Sequence, residues 1–235
     1  MCTVTVLRQP GRVLVTMNRD ELRTRSPELR PSFQDGWWGP RDQKRGGTWM
    51  GAGRQGLVVC LLNGYRRGEP VRSDPAAPSR GEIVPAVLSR PGLPEAVHWL
   101  RRDFDASRYA SFLLVLADLE ETWELYGSSH GVDAWRREGP DLMVTSSAWV
   151  RADGIRSELF RRWLDEDCPF QGFLPEFHLL RVPGLEEASP LMERPEAATR
   201  SITQVEMHSG GGTLRYWPAP APDSRQPGVE IEFKV

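Results

Sequence analysis

The sequence has little of what cross-links or ligates. Its three cysteines, Cys2, Cys60 and Cys168, are an odd number at wide spacing, which argues against a disulfide framework and a thiolate zinc site and leaves at least one thiol free. Its four histidines, His98, His130, His178 and His208, stand apart from one another and from the cysteines, so no metal centre is expected. Nowhere do about 18 apolar residues run together, and no basic stretch followed by an apolar run opens the chain. Stable membrane insertion is therefore not expected, and a cytoplasmic location is. Charge of one sign is also missing: 30 Lys plus Arg stand against 32 Asp plus Glu, so nothing draws the chain broadly to nucleic acid. A small-molecule partner is the remaining default.

The hydrophobic content, 39% of 235 residues, suffices for one large core, and the chain is read as a single domain spanning 1–235. Residues 3 to 7 and 12 to 17 are β-rich runs joined by Gln9-Pro10-Gly11, which predicts a hairpin with Cys2 at the start of its first strand. The nearly continuous apolar run from Gly56 to Asn63 suits a strand covered on both faces. Ser79-x-x-Glu82 has the form of a capping box opening a helix to about Leu88, and Pro94-Glu95 starts another toward Arg102. Further strands are expected at Ser111 to Asp118, Thr122 to Tyr126, Leu142 to Ser146, Ser201 to Met207, Thr213 to Trp217 and Val229 to Phe233. Between Asp153 and Asp165 the residues Ile155, Leu159, Trp163 and Leu164 recur at helical spacing, with Arg and Glu between them. Two strand clusters with helices grouped around them predict an α+β layered sandwich rather than an alternating βαβ fold.

Cys2 is the first candidate for chemistry. A small second residue permits removal of the initiator methionine, which leaves a thiol and a free α-amine on one residue. An α-amine titrates at roughly 7.7 to 8.0, so at neutral pH part of it is free to take the thiol proton. Taken alone, Cys2 reads as merely a small residue entering a strand. The run Asn18-Arg19-Asp20-Glu21 follows the second hairpin strand and can return beside the start of the first. There Arg19 would favour thiolate and Asp20 would hold the α-ammonium, although such a tetrapeptide is often a solvated turn. Gly46-Gly47-Thr48-Trp49 lacks the Lys-Ser/Thr ending of a phosphate loop and opens no evident helix, so nucleotide binding is rejected. Its glycines allow close backbone approach, and Trp49 supplies an apolar wall.

Met1-Cys2, Asn18-Arg19-Asp20-Glu21, Gly46-Gly47-Thr48-Trp49, Leu62-Asn63, Ser79-Arg80-Gly81 and Thr199-Arg200-Ser201 occur in this order along most of the chain. In these residues the sequence resembles the NRDE family, related to the transport and Golgi organisation protein. The resemblance implies the four-layer αββα sandwich of the N-terminal nucleophile hydrolases. A more distant likeness to the penicillin V acylases and bile salt hydrolases makes Cys2, Arg19, Asp20, Asn63 and Arg200 the counterparts of a catalytic set. It implies Asn63 as an oxyanion donor and Arg200 as an orienting or carboxylate-binding group. Asn18, Glu21, Trp49 and Ser147 are expected around the substrate. Ser146-Ser147-Ala148 departs from the Ser-Asn-Ala common in the family, and a hydroxyl reaches less far than an amide.

The implied reaction is hydrolysis of a non-peptide C–N bond in a small acyl amide with an apolar portion, with no cofactor. The alternative is a non-catalytic carrier of heme or lipid on the same scaffold. A cysteine thiolate can ligate heme iron, so Cys2 serves both readings.

Overall fold

The computed structural model describes residues 2–65, 77–147, 149–166 and 176–235. Cys168 lies outside them. The hairpin forms as the β-rich runs predict, with β1 (Cys2–Gln9) and β2 (Arg12–Leu22) turning through Gly11 at φ 71°. It is longer than the pattern suggested: Asn18-Arg19-Asp20-Glu21 is not a turn after the strand but the last part of β2. Three short strands follow, β3 (Glu28–Gln34), β4 (Trp37–Asp42) and β5 (Met50–Gly53), and then the apolar β6 (Val58–Asn63).

Ser79 caps a short 3-10 turn, Arg80–Glu82, by accepting from the Gly81 N–H, and α1 (Ile83–Leu88) continues from it. The expected capping box is half made, because the Glu82 carboxylate accepts from the Tyr109 hydroxyl at 2.7 Å. Next come α2 (Leu93–Arg102), β7 (Phe112–Ala117), β8 (Thr122–Ser128), β9 (Gly131–Arg136), β10 (Asp141–Ser146) and α3 (Val150–Glu166). The chain closes with β11 (Ala197–His208), β12 (Gly211–Pro218) and β13 (Val229–Phe233).

Two antiparallel sheets result, in the orders β10-β1-β2-β11-β12-β13 and β3-β4-β5-β6-β7-β8-β9. The period-2 alternation of the strands decides the layering. Val4, Val6, Val13, Val15 and Met17 from one sheet meet Met50, Val58, Cys60, Leu62 and Val115 from the other in the central core. The opposite face of the second sheet, with Val59, Leu114 and Leu116, packs on Ile83, Val87, Val97 and Leu100 of α1 and α2. Leu7 and Leu14, on the outer face of the first sheet, pack on Phe160 and Trp163 of α3. The layers therefore run helix, sheet, sheet, helix. Among the described residues no helix is long and apolar enough to cross a membrane.

Candidate active site

Antiparallel pairing places the NRDE run. Cys2 is opposite Arg19 on one side and opposite Ser146 on the other. Cys2 has the parity of Val4 and Val6 and is half-buried against the central core. Arg19 shares the face of Met17, whereas Asn18 and Asp20 alternate to the outer face, toward α3. Cys2, Arg19, Asp20, Glu21, Trp49 and Asn63 line one cavity of about 610 Å³ at this end of the sandwich, large enough for a small organic ligand.

Arg19, 5% exposed, is held from all sides. Its guanidinium lies 4.3 Å from the Trp49 ring centroid. It also pairs with Glu28 at 3.3 Å, Glu21 at 3.5 Å and Asp42 at 3.7 Å. Glu28 in turn accepts from the Tyr216 hydroxyl at 2.9 Å. Trp49 is thus a stacking surface for Arg19 as well as a wall of the cavity. Burial pushes the Cys2 thiol up, and the charge of Asp20 acts the same way, while the Asp20 backbone N–H and Arg19 pull it down. Burial raises the Cys60 thiol too, inside the core.

The Asp20 carboxylate is anchored at both oxygens. Thr199 Oγ1 donates to Oδ1 at 2.6 Å, and Arg156 Nη2 pairs with Oδ2 at 3.2 Å. Arg156 is fully buried and also donates to Thr3 Oγ1, to Thr145 Oγ1 and to the carbonyls of Ala188 and Ser189. One guanidinium thus joins α3 to β1, β2 and β10 directly behind Cys2. Asn63 ends β6 in the cavity, where its Nδ2 lies 3.4 Å from the Tyr65 hydroxyl and its carbonyl accepts from Ser146 Oγ.

Three expected site residues are placed elsewhere. Asn18 does not line the cavity: its Nδ2 donates to the carbonyls of His178 and Pro190, and its Oδ1 lies 2.7 Å from His178 Nδ1. Since Asn18 Oδ1 must accept, His178 carries its proton on Nδ1, and Nε2 accepts from Thr5 Oγ1 at 2.7 Å. Burial, then Arg156, depresses His178 to about 3, so this buried network is neutral at physiological pH. Arg200 is the extra residue of a β-bulge between Thr199 and Ser201, and its Nη1 donates to the Arg23 carbonyl instead of entering the cavity. It is Thr199 that reaches Asp20. Ser147 accepts from the Trp149 N–H at 2.9 Å, a local turn ahead of α3, and does not line the cavity.

Pattern reading missed Arg156, Tyr65 and Arg80 as site residues. In the sequence Arg80 is only the middle of the Ser79-Arg80-Gly81 motif; in the structure it stands in the cavity wall as an electrostatic neighbour of Tyr65, Cys2 and Glu21. Arg156 carried a readable signal. Ala152, Arg156, Phe160 and Trp163, spaced four, four and three apart, form the buried stripe of α3, so the arginine interrupts an otherwise apolar face. Among the described residues no group of three or more His, Cys, Asp and Glu side chains is arranged to hold a metal ion.

The αββα sandwich of two antiparallel sheets between helices is the fold of the N-terminal nucleophile hydrolases. Solved members of that class superpose along the chain. A Caenorhabditis elegans ortholog of N-acylethanolamine-hydrolyzing acid amidase is 15% identical at a TM-score of 0.56, over 86% of this chain and 92% of its own. The penicillin V acylase of Agrobacterium tumefaciens is 12% identical at 0.57, over 99% and 86%. A variant of the conjugated bile acid hydrolase of Clostridium perfringens is 11% identical at 0.54, over 100% and 97%. These likenesses show the fold. By sequence, the chain belongs to the Transport and Golgi organisation 2 family, whose model matches residues 1–166. No curated protein sequence matches it.

Proposed function

We propose that the protein is a cysteine N-terminal nucleophile hydrolase that cleaves a non-peptide amide C–N bond of a small acyl substrate. The observation that carries this reading is the convergence of Cys2, Arg19, Asp20 and Asn63 on one cavity, with Cys2 and Arg19 directly opposite in register.

In this mechanism removal of Met1 frees the Cys2 α-amine, which takes the thiol proton. The sulfur attacks the amide carbon, forming a C–S bond and an oxyanion that Asn63 Nδ2 receives. Collapse breaks the C–N bond, and the amine departs with the proton from the α-ammonium. Water, deprotonated by the same α-amine, then releases the acid from the thioester. Arg19 keeps positive charge near the sulfur, and Asp20, fixed by Arg156 and Thr199, lies beside the terminus.

The test is to incubate the mature protein with an electrophilic acyl probe and a panel of fatty acyl amides, and to read the mass of the N-terminal peptide. An acyl adduct on Cys2 that is absent in Cys2→Ala is expected. Labelling that persists in Cys2→Ala removes the nucleophile. A saturable Soret change on heme titration, lost in Cys2→Ala and with no acyl adduct in the wild type, would favour the carrier instead.

A further inference from the structure

The cavity contains a cation that the mechanism above does not use. Arg19 is neutralised by three carboxylates, and Arg25 is paired with Asp42 at 2.6 Å. Arg80 differs: its Nη1 donates to the Ser111 carbonyl at 2.8 Å, and among the described residues no carboxylate lies within ion-pair distance of it. Burial works against its charge. A half-buried guanidinium with no ion-pair partner among the described residues is costly to hold, yet this one is held firmly.

Its turn is fastened to the neighbouring glycine loop. The Thr48 N–H donates to the Gly81 carbonyl at 3.0 Å, and a Cβ on Gly47 would stand 2.5 Å from the Gly81 carbonyl carbon. Only glycine at position 47 allows this approach, so two of the sequence motifs form one rigid support for Arg80. With Nη1 on a carbonyl, the rest of the planar fork has no protein partner among the described residues, and such a fork matches the two oxygens of a carboxylate. Leu61, Pro78 and Ala110 continue the same wall with apolar surface.

We propose that Arg80 anchors a carboxylate of the substrate, so that the amide presented to Cys2 belongs to an acyl compound with a free carboxylate close to the scissile bond. The word substrate rests on the hydrolase reading; the binding does not. The experiment is calorimetric titration of the Cys2→Ala protein, in which no covalent step intervenes, with N-hexanoylglycine and with its neutral primary amide.

The carboxylate should bind tighter than the amide by about tenfold or more, as a charge-assisted pair gives. Arg80→Met should erase the difference while leaving the affinity of the neutral amide in place, which also shows that the cavity is intact. Arg80→Lys should restore part of it, and Arg45→Met, at the exposed rim, should leave it unchanged. Equal affinity for the two compounds, a preference that survives Arg80→Met or is lost in Arg45→Met, or no saturable binding of the carboxylate would overturn the proposal. Failure of the hydrolase reading registers separately, as a missing acyl adduct in the wild type.

Discussion

Replacing Arg156 with methionine keeps most of the side-chain volume and removes the charge behind Asp20. Both members of that pair have fully buried side chains, 3.2 Å apart. Among the described residues, the substitution leaves the Asp20 carboxylate with Thr199 Oγ1 as its remaining side-chain donor and takes a donor from Thr3, Thr145 and the carbonyls of Ala188 and Ser189. Breaking a buried pair from one side costs about 3–5 kcal/mol, against a total of about 5–15 kcal/mol for a domain. Asp20→Asn strands the arginine in the same way. The double variant strands neither charge, so its loss should fall short of the sum of the single losses by about 1 kcal/mol or more. Urea unfolding followed by tryptophan fluorescence reads all three. Single losses below about 1 kcal/mol that add in the double variant would refute the claim that this pair holds Asp20 in place.

Three other outcomes follow from the site. Because burial raises the Cys2 thiol while Arg19 opposes it, alkylation of Cys2 by iodoacetamide should accelerate with pH beyond the midpoint of an exposed thiol, and Arg19→Gln should move that midpoint higher; a downward move would contradict the electrostatics. His178 is depressed to about 3 from an ordinary 6.5, so the unfolded chain binds the extra proton in that window. Stability should therefore be complete above pH 6.5 and fall toward pH 3, by up to about 1.4 kcal/mol per pH unit for this group; acid titration of His178→Gln with no flatter slope would exclude His178 as the cause. Asn63→Ala should lower kcat by about 10²–10³-fold on any amide the protein turns over, and an unchanged kcat would remove Asn63 from the oxyanion role.

The central layers were legible because β1, β2, β6 and β7 carry clear apolar patterns. β3 and β4 were not, since each contains a proline and β3 is largely exposed, and β5 is only Met50–Gly53. β9 opens on Gly131, is six residues long and has no fully buried residue, so its sequence reads as a connection. Charge misled at Asn18-Arg19-Asp20-Glu21, where strand pairing and buried partners outweigh the solvent preference of the residue types. The motif order found the cavity side of the site: Cys2, Arg19, Asp20, Asn63 and Trp49 meet there. What no local pattern contains is the β-bulge that turns Arg200 away and brings Thr199 to Asp20, or the reach of Arg156 from α3 across to β1 and β2.

N-terminal sequencing with intact mass of the purified protein tests the account most directly, since sulfur and proton acceptor must share the first residue. Met1 should be absent and Cys2 should be residue one of the active protein. A population that keeps Met1 and still forms the Cys2 acyl adduct would contradict the mechanism.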